Sequence, residues 1–122
     1  MKKILVIFAL GIATHLSYAQ QSLNNEHPLR YFNEGKEMFL NHNYVGCEHS
    51  LSEFKKVSKD DKLNVEADYM LVASHYFRGG ENADLKLKEF LDTYPESYHR
   101  NQVCFYIGTS HFEKKEWEKA LY

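Results

Sequence analysis

The sequence has little that favours β-structure, disorder or nucleic-acid binding. Only two prolines and six glycines occur among its 122 residues, and the apolar–polar alternation that marks half-buried strands is scarce. Hydrophobic residues make up 43% of the chain, which is enough to bury a core and excludes a disordered tail. The formal net charge of −2 lacks the basic excess that non-specific nucleic-acid binding needs. The composition therefore predicts one small, mainly helical domain.

Motifs for catalysis and metal binding are also missing from the sequence. There is no glycine-rich phosphate loop, no Ser-His-Asp set and no convergent carboxylate pair, and Gly79-Gly80 is interpreted as a turn. Seven histidines occur, but none belongs to a His-Glu-x-x-His motif or stands close to a cysteine at metal-ligand spacing. A facing pair of His75 and His111 stays open as an alternative. We expect no catalytic residue, no cofactor and no metal ion, and an enzyme only if a catalytic domain follows residue 122.

The first 19 residues differ in character from the rest of the chain. Two lysines, at positions 2 and 3, precede an apolar run from Ile4 to Ala13, and small residues stand near Ala19. This order predicts a secretory signal peptide that is cleaved between Ala19 and Gln20. The alternative is a membrane anchor, but the run has about ten residues and a bilayer needs about 20. No cysteine follows the run, so we expect an exported, periplasmic protein that is not a lipoprotein.

Apolar residues recur at helical spacing in six segments after a polar linker at residues 20–28. Short polar breaks separate the segments, and Pro95 stops the fourth because the residue before a proline is pushed out of the α region. The apolar stripes run over residues 31–39, 44–54, 65–76, 83–94 and 104–112, and a sixth begins at Trp117. The chain is therefore predicted to be all-α.

Small and aromatic residues recur along these segments with a period in the mid-thirties. Two series of small residues are Gly35, Ala73 and Gly108, and Cys47, Ala83 and Ala120, and Phe54 recurs as Phe90. Successive members are 35 to 38 residues apart. A period of this size with one helix pair per unit is typical of a helical solenoid. Small residues are expected where two helices cross closely.

The last unit, CFYIGTSHFEKKEWEKALY, resembles a tetratricopeptide repeat (TPR). Gly108 occupies the small position of the first helix, Phe112 an aromatic position, Trp117 the turn and Ala120 the small position of the second helix. The first unit, YFNEGKEMFLNHNYVGCEHSLSEF, follows the same pattern with Cys47 in place of the usual alanine.

The second unit departs from this pattern, since ten residues separate Ala73 from Ala83 where the other units have twelve. Its end, FLDTYPES, is similar to the TPRs of bacterial envelope proteins such as the outer-membrane assembly lipoprotein and the Tol-Pal-associated coordinator. The resemblance covers residues 29–122.

The resemblance implies a right-handed helical solenoid of antiparallel helix pairs with about two and a half repeats. The units lie near residues 29–60, 61–97 and 98–122, the last one incomplete. In such an array the first helix of each unit lines a concave groove that holds a partner peptide or helix. The register assigns to this groove Phe32, Lys36, Leu40, Met70, Ser74, Arg78, Phe105, Thr109 and Glu113. Ordinary packing between repeats is the alternative role for Phe32 and Phe105, while Lys36 and Arg78 would pair with a carboxylate.

The resemblance therefore predicts an exported scaffold for protein–protein interaction in the bacterial envelope. The alternative is a structural spacer or self-association module of a longer repeat protein. Repeats bury their apolar faces against neighbours, and the sequence stops at Ala120-Leu121-Tyr122, inside the sixth segment. We therefore expect either a longer protein or a dimer formed through the apolar end that carries Trp117 and Leu121.

The two cysteines, Cys47 and Cys104, are expected to be small core thiols. They fall in the first and third units, and helices pack about 8–10 Å apart. With the second unit between them they should lie beyond the Cα separation of about 7 Å that a disulfide allows. Pairing between two molecules is the alternative.

Overall fold

The computed structural model describes residues 27–116 and residue 119. Its helices are α1 (Pro28–Leu40), α2 (Tyr44–Val57), α3 (Asp61–Phe77), α4 (Ala83–Thr93) and α5 (Arg100–Glu113). No strand occurs in these residues, so the predicted all-α class is confirmed. None of the helices found there is both long and apolar enough to cross a bilayer. The predicted signal peptide, most of the predicted linker and the apolar residues of the sixth segment lie outside the described residues.

Polar side chains define where the second and third helices begin. The Asn43 side chain accepts a hydrogen bond of 3.1 Å from the Gly46 amide at the start of α2. The Asp60 carboxylate accepts one of 3.1 Å from the Leu63 amide at the start of α3. Such caps satisfy amide groups that have no partner within the first helical turn. The breaks predicted at residues 41–43 and 58–61 therefore separate two helices each.

The helices α1, α3 and α5 all end in the same kind of turn. Two positions past each helix the backbone is left-handed, at His42 (φ 58°), Gly79 (φ 69°) and Lys115 (φ 59°). The next amide donates back to a carbonyl five residues earlier, over distances of 2.8 to 2.9 Å. This is the Schellman arrangement, which satisfies the last carbonyls and turns the chain. The three left-handed residues are 37 and 36 residues apart.

Each helix packs against the next one in the chain, and α1 also contacts α3. The core between them is closed by fully buried side chains such as Leu51 of α2, Leu87 of α4 and Val103 of α5. Gly35 allows α2 to approach α1, because a Cβ atom on Gly35 would lie 2.5 Å from Cγ of Leu51. The expectation of a small residue at a close helix crossing is therefore confirmed at Gly35.

A polar contact at the edge of the core joins three helices. Lys55 Nζ of α2 lies 2.7 Å from Asp68 Oδ2 of α3. The hydroxyl of Tyr94, which follows α4, donates to the same Asp68 oxygen over 2.6 Å. The carboxylate is only partly exposed, so both partners compensate for the water that it has lost.

Removing glycine from one left-handed position and introducing it at another should change stability in opposite directions. Gly79→Ala is expected to lower the free energy of unfolding by about 1 kcal/mol, because a Cβ atom disfavours the left-handed conformation. A Cβ there would meet no atom within 4 Å, so the cost is conformational. Lys115→Gly at the equivalent turn should raise the free energy of unfolding by about 0.5 kcal/mol, since glycine's greater freedom in the unfolded chain offsets part of the gain.

Urea unfolding followed by circular dichroism measures both changes. Ser52→Ala on the exposed face of α2 serves as a control that leaves the turns intact. A Gly79→Ala variant as stable as the natural chain would contradict the left-handed turn.

Candidate functional site

Aromatic rings from four helices lie against one another along one side of the molecule. We call this surface the aromatic face and define it by Phe39, Tyr44, Tyr69, Tyr76, Phe77, Phe105 and Tyr106. Its first part joins α1 to its neighbours. The Phe39 ring of α1 lies 6.1 Å from the Tyr44 ring at the start of α2 and 6.1 Å from the Tyr69 ring of α3.

The second part of the aromatic face joins α3 to α5. Phe77, at the end of α3, stacks on Tyr44 with 5.1 Å between ring centroids. The Tyr106 ring of α5 lies 5.0 Å from Phe77 and 5.2 Å from Tyr76. Phe105 continues the series, with its ring 6.3 Å from Tyr106. Rings of α1, α3 and α5 are therefore held in one surface by direct contact.

The inner rings of the aromatic face are buried, and its outer apolar side chains are open to solvent. Tyr69 and Tyr106 are less than a tenth exposed, whereas Phe77 is 42% and Phe105 65% exposed. Leu40, next to Phe39 at the end of α1, is 67% exposed. Exposed apolar groups set on a rigid, packed base are suited to bind a partner.

The left-handed turns fix which residues of α1, α3 and α5 correspond. Ten positions before each turn stand Phe32, Tyr69 and Phe105, and six before stand Lys36, Ala73 and Thr109. Two positions before each turn stand Leu40, Phe77 and Glu113. Of these nine residues, Tyr69, Phe77 and Phe105 belong to the aromatic face, and Leu40 follows Phe39 in the chain.

The groove residues expected in the second unit are one residue out of register. Met70 is 2% exposed and Ser74 fully buried, so neither lies on an open surface. The error arose from matching Ala73 with Gly35 as the small residue of the helix, whereas Val72 stands at the corresponding distance from its turn. The residues at these positions are Tyr69, Ala73 and Phe77, of which Tyr69 and Ala73 are buried and only Phe77 is open to solvent.

Arg78 is exposed but its side chain is paired, and Phe32 is buried. Arg78 Nε is 2.9 Å from Glu48 Oε2 of α2, so its guanidinium is already paired and is not a free receptor for a partner's carboxylate. Phe32 is 6% exposed and packs on Phe54, with ring centroids 5.1 Å apart. Phe32 therefore packs in the core against the second helix of its own unit, whereas the alternative role expected for it was packing between repeats.

The other groove candidates are accessible. Lys36, Leu40, Phe105 and Glu113 are exposed, and Thr109 is half-buried. The Thr109 hydroxyl donates to the Phe105 carbonyl over 2.9 Å, which is a contact within its own helix. Leu40, which follows Phe39 in the chain, and Phe105 are therefore exposed apolar side chains, and Lys36 of α1 and Glu113 of α5 are exposed charged groups.

Sequence reasoning missed Tyr69 and Phe77, although one signal for them was present. The dipeptide Ser-His occurs at residues 74–75 and again at 110–111, 36 residues apart. His75 and His111 both lie four positions before a left-handed residue, so this pair marks the true register. Small residues are a weaker guide, because a valine also fits the crossing in the second unit.

Tyr69 is held by groups on both sides of its ring. The His99 ring lies parallel to it with 3.7 Å between centroids, and His99 Nε2 is 2.6 Å from Glu66 Oε2. The Tyr69 hydroxyl is 3.4 Å from the Tyr106 hydroxyl. Burial, followed by this hydrogen bond, raises the pKa of Tyr69 far above its ordinary value. Tyr69 is therefore a neutral phenol that supports the aromatic face.

A separate cavity lies between the start of α3 and the segment that follows α4. This Tyr98 pocket has a volume of about 440 Å³ and is lined by Lys62, Val65 and Glu66 on one side and by residues 94–99 on the other. Its lining is mostly apolar. Tyr98 stands at its rim and is 96% exposed.

Histidines and carboxylates form pairs in this fold. His75 Nδ1 lies 3.3 Å from Glu48 Oε1 and His111 Nδ1 lies 2.7 Å from Glu116 Oε2, so these two histidines face carboxylates and not each other. The hydrogen bond from His111 lowers the pKa of Glu116. Within residues 27–116, no cluster of three or more metal-ligating side chains is found.

The two cysteines are free thiols in different surroundings. Cys47 is buried, as expected, but Cys104 is exposed. The prediction of a core thiol is therefore wrong for Cys104. The buried side of α5 carries Val103 and Tyr106, and the two residues between them, Cys104 and Phe105, are exposed.

No protein-family model matches the chain, and neither a curated protein nor a solved structure matches it significantly.

Strongly alkaline pH should weaken the fold through Tyr94. Its hydrogen bond to Asp68, together with burial, raises the pKa of Tyr94 to about 12, whereas a phenol in an unfolded chain ionises near pH 10. Because the folded value is the higher one, the contribution of Tyr94 to stability is complete below about pH 10 and is lost between about pH 10 and 12.

Urea unfolding of Tyr94→Phe between neutral and alkaline pH tests this expectation. The variant should lose part of the decline in stability that the natural chain shows over that range. Tyr98→Phe, at a tyrosine with a 96% exposed side chain, is the matched control. An equal decline in the natural chain and in Tyr94→Phe would contradict the assignment.

Proposed function

We propose that this protein is an exported helical-repeat scaffold of the TPR type that binds a segment of another envelope protein along the aromatic face. The observation that carries the proposal is that α1, α3 and α5 each supply an exposed apolar side chain, Leu40, Phe77 and Phe105, at or beside one series of packed rings. The role is one of binding, with no catalytic step assigned to the chain.

Two features support a repeating array of helix pairs. The left-handed turns after α1, α3 and α5 recur at intervals of 37 and 36 residues, within the range typical of TPR-like solenoids. Contacts between α1 and α3, and between rings of α3 and α5, support an arrangement with the first helices of successive units side by side. A right-handed solenoid of antiparallel pairs accounts for both.

The aromatic face fits an extended peptide or an amphipathic helix. Leu40, Phe77 and Phe105 would receive the apolar side chains of such a segment. Lys36 of α1 and Glu113 of α5, both exposed, would pair with an acidic and a basic side chain of the partner. Exposed aromatic groups on a packed base are the residues that contribute most to binding energy in protein interfaces.

Replacing the two most exposed apolar groups of this surface should abolish binding. The purified natural chain is used to capture an envelope protein, and its affinity for that protein is then measured by calorimetric titration. In Leu40→Ser/Phe105→Ser we expect this affinity to be at least tenfold lower. The reason is the loss of apolar area at the centre of the contact. Circular dichroism should show an unchanged helical content, since the two side chains are 67% and 65% exposed.

The matched control is Val57→Ser/Leu85→Ser, at side chains that are 51% and 54% exposed. Val57 lies at the opposite end of α2 from Tyr44, and Leu85 lies on α4, which carries no residue of the aromatic face. Binding should be retained in the control. Equal losses in the two double variants, or a loss in the control alone, would refute the proposed surface.

Export is tested by the N-terminus of the mature chain. In a bacterial host the protein should appear in the periplasmic fraction with Gln20 as its first residue, by intact mass. Ala19→Leu should block the cleavage, because a small residue is required before the cut. A cytoplasmic protein that keeps Met1 to Ala19 would remove export from the proposal and leave the binding surface untouched.

A further inference from the structure

Tyr98 is an aromatic side chain without a place in the core. It is 96% exposed and stands at the rim of the Tyr98 pocket, whose lining is mostly apolar. A tyrosine combines an apolar ring with a polar hydroxyl, and such residues are common anchors in interfaces because one end can be buried while the other forms a hydrogen bond. The rim of the pocket therefore carries the kind of group that its interior can receive.

The interior of the pocket suits a tyrosine. Its volume of about 440 Å³ lies in the range of cavities that hold small ligands, roughly 300–1,000 Å³. Val65, Tyr94 and Pro95 supply apolar walls, and the Glu66–His99 pair, 2.6 Å between Oε2 and Nε2, supplies polar atoms that a phenolic hydroxyl can reach.

The pocket carries a cation and an anion on opposite sides, and these can pair between two copies of the protein. Lys62 stands on the α3 side and Glu96 on the opposite side, and both are exposed. In a two-fold contact the same patch of each copy forms the interface, so a residue on one side of the pocket faces a residue from the other side of the partner's pocket. Lys62 of one copy then approaches Glu96 of the other, with two such pairs around each axis.

We propose that two copies of this protein associate about a two-fold axis, with Tyr98 of each copy inserted into the Tyr98 pocket of the other. The proposal is independent of the partner-binding role of the aromatic face. It also differs from association through the end of the chain that carries Trp117 and Leu121. One aromatic anchor per copy buries a small area, so the dimer is weak and forms at high protein concentration.

Sedimentation equilibrium of the mature full chain over a wide concentration range tests the proposal. A reducing agent is present throughout, because Cys104 is exposed and could link two molecules. We expect a monomer–dimer equilibrium in the natural chain and at least a tenfold weaker one in Tyr98→Ser. Leu85→Ser, which removes an exposed apolar side chain of α4, is the matched control and should dimerise like the natural chain.

The charged pair gives a second and sharper measurement. Lys62→Glu and Glu96→Lys should each weaken the dimer, because like charges then meet across the axis. The double variant Lys62→Glu/Glu96→Lys should restore association to near the natural level, which a general loss of folding would not do.

Three results would overturn the proposal. The first is a natural chain that stays monomeric at every concentration, and the second is a dimer that Tyr98→Ser leaves unchanged while Trp117→Ser removes it. The third is a natural chain that remains a monomer while its Tyr98 pocket binds a tyrosine of a different protein.

Discussion

The left-handed turn at the end of α1, α3 and α5 is the constraint on which the remaining structure depends. Each turn satisfies the last carbonyls of its helix through an amide that bonds five residues back. It therefore fixes the point at which the chain reverses and starts the next helix. Because His42, Gly79 and Lys115 are 37 and 36 residues apart, every position counted back from a turn has equivalents in the other two helices.

The surface of the protein follows from this equivalence. The position two residues before the turn lies near the end of each helix, where Leu40 and Phe77 are exposed. Rings deeper in the same helices pack together and support these groups, and the Tyr69 hydroxyl lies 3.4 Å from that of Tyr106. Exposed and buried apolar groups thus come from the same helices. Distance from the turn does not decide exposure alone, because Phe105 is exposed ten positions before its turn where Phe32 and Tyr69 are buried. The Tyr98 pocket lies apart, beside the segment that joins α4 to α5.

Much of the fold was predictable because it depends on local signals. The polar breaks at residues 41–43 and 58–61 carry side chains that cap the following helices, and the effect of Pro95 on the preceding residue is steric. The correspondence between helices was harder to predict, since it depends on where each helix ends in three dimensions. Matching small residues aligned Ala73 with Gly35 in place of Val72, and this shift of one residue selected Arg78, which is paired with Glu48, in place of Phe77.

The sequence by itself determined the helical class, the approximate limits of the helices and a period in the mid-thirties, because periodicity and capping act over a few neighbouring residues. Only the tertiary structure decided which side chains are open to solvent, that Cys104 points outward and that His75 and His111 each face a carboxylate. These outcomes depend on contacts between residues far apart in the chain. A rotation of one residue about a helix axis, about 100°, is enough to change them.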